Sequence, residues 1–124
     1  MYRIIIFFLF QVSVFSILSA QETIYVKTQP GDATPRLQNA IEQARHFKGK
    51  KVVIQLEQGN YDLYRNSSSK QVYFISNTAS KEENPDPTKH IGLWIKDMKN
   101  LIIDGGGAHL ITHGEMTSFV IDKS

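Results

Sequence analysis

The sequence contains no cysteine, so disulfide bonds cannot contribute to its stability. It also lacks an excess of either charge, since 14 lysines and arginines against 12 aspartates and glutamates give a formal net charge of +2. A protein that binds nucleic acid or an anionic membrane surface has a clustered basic face, and the sequence predicts none. The 124 residues suffice for one domain, which must be held together by packing alone.

Only the first 20 residues form a long apolar run. Arg3 precedes the largely apolar segment 4–18, and the run ends in the small residues Ser19 and Ala20. This pattern predicts a secretory signal peptide, 1–20, cleaved after Ala20. A membrane anchor is the alternative, but the run is short for a span of about 20 residues and its end is typical of a cleavage site. We therefore expect a bacterial protein that is exported to the periplasm or beyond, with no membrane span after cleavage.

Residues 21–50 predict a short strand and one amphipathic helix. Thr34 is the predicted N-cap, and Pro35 suits the first helical position, where its missing N–H costs nothing. Gly49 predicts the end of the helix. Between them, apolar residues recur at helical spacing and predict one buried stripe: Leu37, Ala40, Ile41 and Ala44.

Residues 51–124 read as short strands separated by tight corners, with one long polar loop at 76–90. Strands are predicted at 52–56, 72–75, 91–96, 101–103, 110–111 and 119–121. Leu93 and Ile95 match Phe119 and Ile121 at an offset of 26 residues. Such an offset is typical of solenoid coils that stack on one another.

The order of these pieces resembles the start of pectate-lyase-like β-helices. The matching parts are Gly31–Asp32, the helix 34–47, the strand and Gly-x-Tyr of 52–61, and the Asn-Leu-x-Ile-Asp-Gly-x-Gly element of 100–107. The resemblance implies an all-β solenoid, namely the start of a right-handed parallel β-helix with an N-terminal α-helical cap. That solenoid would be incomplete, because the chain offers at most about two coils and stable solenoids need about three or more.

A narrower resemblance covers 75–80 and 93–107, which are similar to the exo-acting alpha-1,3-galactosidases of glycoside hydrolase family 110. It implies a hydrolase that removes terminal alpha-1,3-linked galactose, including that of blood-group B-type glycans, with inversion. The substrate would be a galactose-terminated glycan, and no cofactor would be needed. Enzymes of that family are several times longer, so the catalytic residues are expected beyond Ser124. We therefore expect no activity from this chain alone.

Inverting glycosidases need two carboxyl groups roughly 6.5–9.5 Å apart, one as acid and one as base. The candidates in this chain are Asp97, Asp104, Glu115 and Asp122. Asp104 precedes three glycines and is interpreted as a turn residue that bonds its own backbone. Asp97 and Asp122 follow equivalent strands, where polar corners are common, and Glu115 has no partner visible in the sequence.

Histidine and tryptophan give weaker indications of a site. His109 and His113 are four residues apart, but a metal site would need further ligands, so no metal is expected. His46 ends the helix, where positive charge suits the dipole, and His90 has no catalytic setting.

Trp94 could stack on a sugar, although packing beneath the loop is favoured. Asn100 is expected at a corner and Lys99 in solvent.

Two other functions stay open on sequence grounds. A polysaccharide lyase or polygalacturonase would keep the solenoid but need clustered aspartates further along the chain. A non-catalytic adhesin or glycan-binding surface protein would instead show many regular coils without an acidic cluster.

Overall fold

The computed structural model describes residues 21–74, 80, 82 and 85–124. The predicted signal peptide at 1–20 and most of the predicted loop lie outside the described residues. The elements are β1 (Gln21–Val26), α1 (Thr34–Arg45), β2 (Lys51–Leu56), β3 (Asn60–Tyr64), a 3-10 turn (Arg65–Ser67), β4 (Ser69–Val72), β5 (Thr88–Lys96), β6 (Leu101–Asp104), β7 (His109–His113) and β8 (Thr117–Asp122). Within the described ranges, no helix is long and apolar enough to cross a membrane.

The strands form three small sheets. The first has the order β1-β2-β6 and the second pairs β3 with β7, all with parallel neighbours. The third has the order β4-β5-β8, in which β8 is parallel to β5 and β4 is antiparallel to it. In the parallel pair, Leu93 lies opposite Phe119 and Ile95 opposite Ile121, which confirms the predicted match between these two segments.

The predicted right-handed parallel β-helix is wrong. The described residues form separate sheets of mixed strand orientation, and no solenoid coil repeats along them. The prediction assumed that the spacing between one pair of strands repeats along the whole chain. Instead, chain segments of very different length separate the paired residues Gln21 and Lys51, Val52 and Leu101, and Ile91 and Thr117. The strand predicted at 72–75 is also misplaced, because β4 ends at Val72 and folds back on the first half of β5.

The hydrophobic core lies between α1 and the inward faces of the sheets. The predicted stripe of α1 is confirmed, with Leu37, Ala40, Ile41 and Ala44 all buried. Alternation along β2 and β3 buries five further side chains against it: Val52, Ile54, Leu56, Tyr61 and Leu63. The Tyr61 hydroxyl donates to backbone carbonyls at Val26 (3.0 Å) and Glu57 (2.8 Å), so its one polar group is satisfied inside the core.

The N-cap of α1 is Ala33 and not, as predicted, Thr34, and the side chain of Asp32, one residue earlier, satisfies the first helical N–H. The Thr34 N–H donates to Asp32 Oδ1 at 2.9 Å, and Thr34 itself is 1% exposed inside the helix. Its Oγ1 accepts from the Tyr64 N–H at 3.0 Å, which joins the helix to the end of β3. Burial by itself would raise the pKa of Asp32, but hydrogen bonds from Ser67, Thr34 and the Tyr64 backbone outweigh it and lower that pKa.

The helix also covers an edge of β5. Gln38 accepts from the Trp94 N–H at 3.1 Å and donates to the Trp94 carbonyl at 3.4 Å. Arg45 Nη1 donates to the Lys96 carbonyl at 2.7 Å. Unpaired strand edges invite association with other chains, so these side chains take the place of a neighbouring strand.

Candidate functional site

An apolar basin of about 770 Å³ opens on the described part of the chain. Its walls are the inward faces of β5, β6, β7 and β8, where Leu93, Ile95, Leu110, Phe119 and Ile121 meet. Phe119 and Ile121 are 53% and 61% exposed. A basin lined almost wholly by aliphatic side chains offers few partners for sugar hydroxyls, so it does not suit a glycan.

Asp104 lies at the end of β6, where its carboxylate is used locally. Its Oδ1 accepts from the Gly106 N–H at 3.0 Å, and Gly106 has a φ of 54°. This is the turn predicted from the sequence, in which aspartate bonds the backbone two residues on.

Asp122 and Trp94 are joined through Tyr73. The indole Nε1–H donates to the Tyr73 hydroxyl at 2.9 Å, and that hydroxyl donates to Asp122 Oδ2 at 2.9 Å. The Lys96 ammonium lies 5.7 Å from the centroid of the Trp94 ring. Because one face of the ring carries a cation and its N–H is engaged, the geometry favours packing over sugar stacking at Trp94.

Asp97 and Asn100 flank the corner between β5 and β6. Both have positive φ, at 53° and 58°, which aspartate and asparagine tolerate better than most residues. The Asp97 N–H donates to the Asp122 carbonyl at 3.0 Å, so the corner is fastened to the end of β8. Lys99, predicted to lie in solvent, is exposed.

The two histidines of β7 lie on one outward face of the strand and have different surroundings. His113 contacts Asp62, with Nε2 2.7 Å from Oδ1, and stacks on the Tyr64 ring at a centroid distance of 4.4 Å. His109 stands four residues earlier, roughly 13 Å along the strand. No group of three metal-ligating side chains occurs among the described residues.

A polar pocket of about 340 Å³ lies where β3 ends and where β5 and β8 begin. Arg65 and His90 are in contact there, with Nη2 3.2 Å from Nε2, and Glu115 stands across from them. His90 and Glu115 were considered separately as candidate residues in the sequence, and Arg65 was not predicted to belong to a site. Only the fold brings them together, because 25 residues separate Arg65 from His90 and β7 intervenes before Glu115.

Comparison with known proteins places the chain beside a group of glycosidases. No protein-family model matches it. It is 43% identical over 108 residues to Alpha-1,3-galactosidase A of Bacteroides thetaiotaomicron, a match covering 87% of the chain and 19% of that relative. It is 33% identical over 87 residues to Alpha-1,3-galactosidase A of Bacteroides fragilis, covering 70% of the chain and 14% of the relative. Alpha-1,3-galactosidase B of Parabacteroides distasonis is 39% identical over 87 residues, a match covering 68% of the chain and 13% of that relative. The chain thus spans less than a fifth of the length of these relatives, and most of it is similar to alpha-1,3-galactosidases.

Proposed function

We propose that this chain is part of an exported glycoside hydrolase that releases terminal alpha-1,3-linked galactose from glycans, including those of blood-group B type. The observation that carries the proposal is the 43% identity over 108 residues to a protein named as an alpha-1,3-galactosidase. Matches to proteins of the same name in further bacteria support it.

The reaction would proceed with inversion, through two carboxylates that lie outside these 124 residues. The carboxylates within the chain support this division of roles. Asp104 bonds its own turn and Asp122 accepts from Tyr73, so both serve the fold. The part of the enzyme described here would position its neighbours and would not act as acid or base.

Export is proposed from the sequence alone, in which Arg3, the apolar segment 4–18 and the small residues Ser19 and Ala20 form the pattern of a cleaved signal peptide. Mass spectrometry of protein recovered outside the cytoplasm should therefore find Gln21 at the amino terminus. Recovery of uncleaved chain from the cytoplasm alone would contradict export.

The activity is tested with the full product of the gene that encodes this chain. It should release galactose from alpha-1,3-galactobiose, and release from the alpha-1,4- and alpha-1,6-linked isomers should be at least about a hundredfold slower. Proton NMR during the reaction should detect β-galactose first, as inversion requires. The 124-residue chain assayed alone should give no turnover. Equal rates on all three linkages, or no release by the full product, would contradict the proposal.

A further inference from the structure

The polar pocket at the start of β5 is lined by donors, acceptors and one apolar side chain. Its walls are Arg65, Asp86, Lys89, His90, Glu115 and Met116. No carboxylate of the described residues lies within 4.0 Å of the Arg65 guanidinium or the Lys89 ammonium. Hydrogen bonds from the side chain and backbone of Thr88 lower the pKa of Asp86, which therefore stays ionised. Cations and carboxylates share the pocket without neutralising one another in close pairs.

The guanidinium of Arg65 contacts the ring of His90. Ser68 Oγ donates its proton to the Arg65 carbonyl at 2.6 Å, so toward His90 Nδ1, at 3.2 Å, it can only accept. The proton of the ring is then on Nδ1, and Nε2 is free to accept from Arg65 Nη2 at 3.2 Å. This contact occupies one of the five guanidinium N–H donors and leaves the others available.

The β7–β8 connection turns at Gly114, beside Arg65. Gly114 has a φ of 93°, and a side-chain Cβ there would lie 3.4 Å from Arg65 Cβ. The residue after Gly114 is Glu115, so the turn brings a carboxylate to the same pocket as the oriented guanidinium. Arg65 follows β3 and Glu115 precedes β8, and no local sequence pattern predicts that these two parts of the chain meet.

These groups fit a neutral saccharide better than an anion. Each sugar hydroxyl both donates and accepts, so adjacent hydroxyls match a site that offers N–H donors beside carboxylate acceptors. A sulfate or carboxylate ligand would meet Asp86 and Glu115 as like charges. The volume of about 340 Å³ lies at the lower end of the range for small-molecule pockets, which is roughly 300–1,000 Å³, and suits one or two sugar rings.

We infer that the pocket formed by Arg65, Lys89, His90, Glu115 and Asp86 is a binding site for a neutral, galactose-bearing saccharide. Arg65 and Lys89 donate to the sugar hydroxyls, and Glu115 and Asp86 accept from them. The identity of the sugar rests on the proposed function, whereas the site itself rests on the pocket geometry.

The test is calorimetric titration of the full product of the gene with sulfur-linked alpha-1,3-galactobiose, which resists hydrolysis. Arg65→Ala and Glu115→Gln should each weaken binding by about tenfold or more, because each removes a charged hydrogen-bond partner. Lys48→Ala removes an exposed cation beyond the end of α1 and should leave the Kd unchanged. Circular dichroism checks that every variant is folded.

Two outcomes would overturn the inference: folded variants that bind as tightly as the wild type, or a wild type that binds inorganic sulfate or galacturonate in this pocket but no neutral sugar. Galactose release measured on the same preparations separates the two proposals. If galactose is released but neither Arg65→Ala nor Glu115→Gln affects saccharide binding, the proposed binding site is wrong and the proposed hydrolase activity is retained. If saccharide binding depends on Arg65 but no galactose is released, the proposed binding site is retained and the proposed hydrolase activity is wrong.

Discussion

The carboxylate of Asp32 accepts a hydrogen bond at the start of α1. It accepts from the Thr34 N–H at 2.9 Å, and hydrogen bonds from Ser67, Thr34 and the Tyr64 backbone lower its pKa despite burial. A carboxyl whose pKa is lower in the folded than in the unfolded state stabilises the fold at higher pH. Its contribution is complete above the unfolded value of 3.8 and is lost as the pH falls through the lowered folded value.

Asp32→Asn should therefore destabilise the chain by about 1 kcal/mol at pH 7, a loss typical of a weakened cap. The difference between the two proteins should shrink as the pH falls below 3.8. Urea unfolding of the chain from Gln21 onward, at concentrations low enough to keep it monomeric, measures this at pH 7 and at successively lower pH through the fluorescence of its single tryptophan. A difference that does not change with pH would mean that the charge of Asp32 has no part in the cap.

Among the secondary-structure elements, α1 substitutes for a strand along β5. Gln38→Ala removes the acceptor of the Trp94 N–H and should lower the free energy of unfolding by about 1 kcal/mol, since this backbone group is half-buried. Asn39→Ala, one residue further along α1 and exposed, is the matched control and should change it by less than about 0.5 kcal/mol. Chemical denaturation gives both values, and equal effects would show that the edge of β5 does not need Gln38.

The sequence predicted α1 well because its stripe depends on helical period alone, and Leu37, Ala40, Ile41 and Ala44 are buried as expected. The contact between α1 and the end of β3 was not predicted. Thr34 has the local pattern of an N-cap, whereas its hydroxyl accepts from the N–H of Tyr64, 30 residues away. β4 was misplaced because its antiparallel pairing with β5 follows a loop that carries no periodic pattern. The pocket of Arg65 and Glu115 could not be predicted, since three separate strand ends assemble it.

For the molecule as a whole, the exposed basin is the dominant feature. Burying a side chain such as Ile121 or Phe119 contributes about 1.5–3 kcal/mol, and both are more than half exposed. The chain from Gln21 onward should therefore self-associate and bind a hydrophobic dye. Ile121→Lys should raise the monomer fraction and lower dye fluorescence, as seen by size-exclusion chromatography with light scattering.

Tyr25→Lys provides the control for that prediction. Tyr25 is 74% exposed on β1, away from the basin, so charging it should leave the association unchanged. A wild-type chain that runs as a monomer and binds no dye would contradict the account of the basin.

A chimera tests whether this chain serves as part of an alpha-1,3-galactosidase. Residues 21–124 replace the matching segment of the Bacteroides thetaiotaomicron relative, and galactose release from alpha-1,3-galactobiose is measured. A second chimera with the corresponding segment of the Bacteroides fragilis relative controls for the exchange itself. We expect the first chimera to keep kcat/KM within about tenfold of the parent, a barrier change of about 1.4 kcal/mol. A folded first chimera with background activity, beside an active second one, would contradict it.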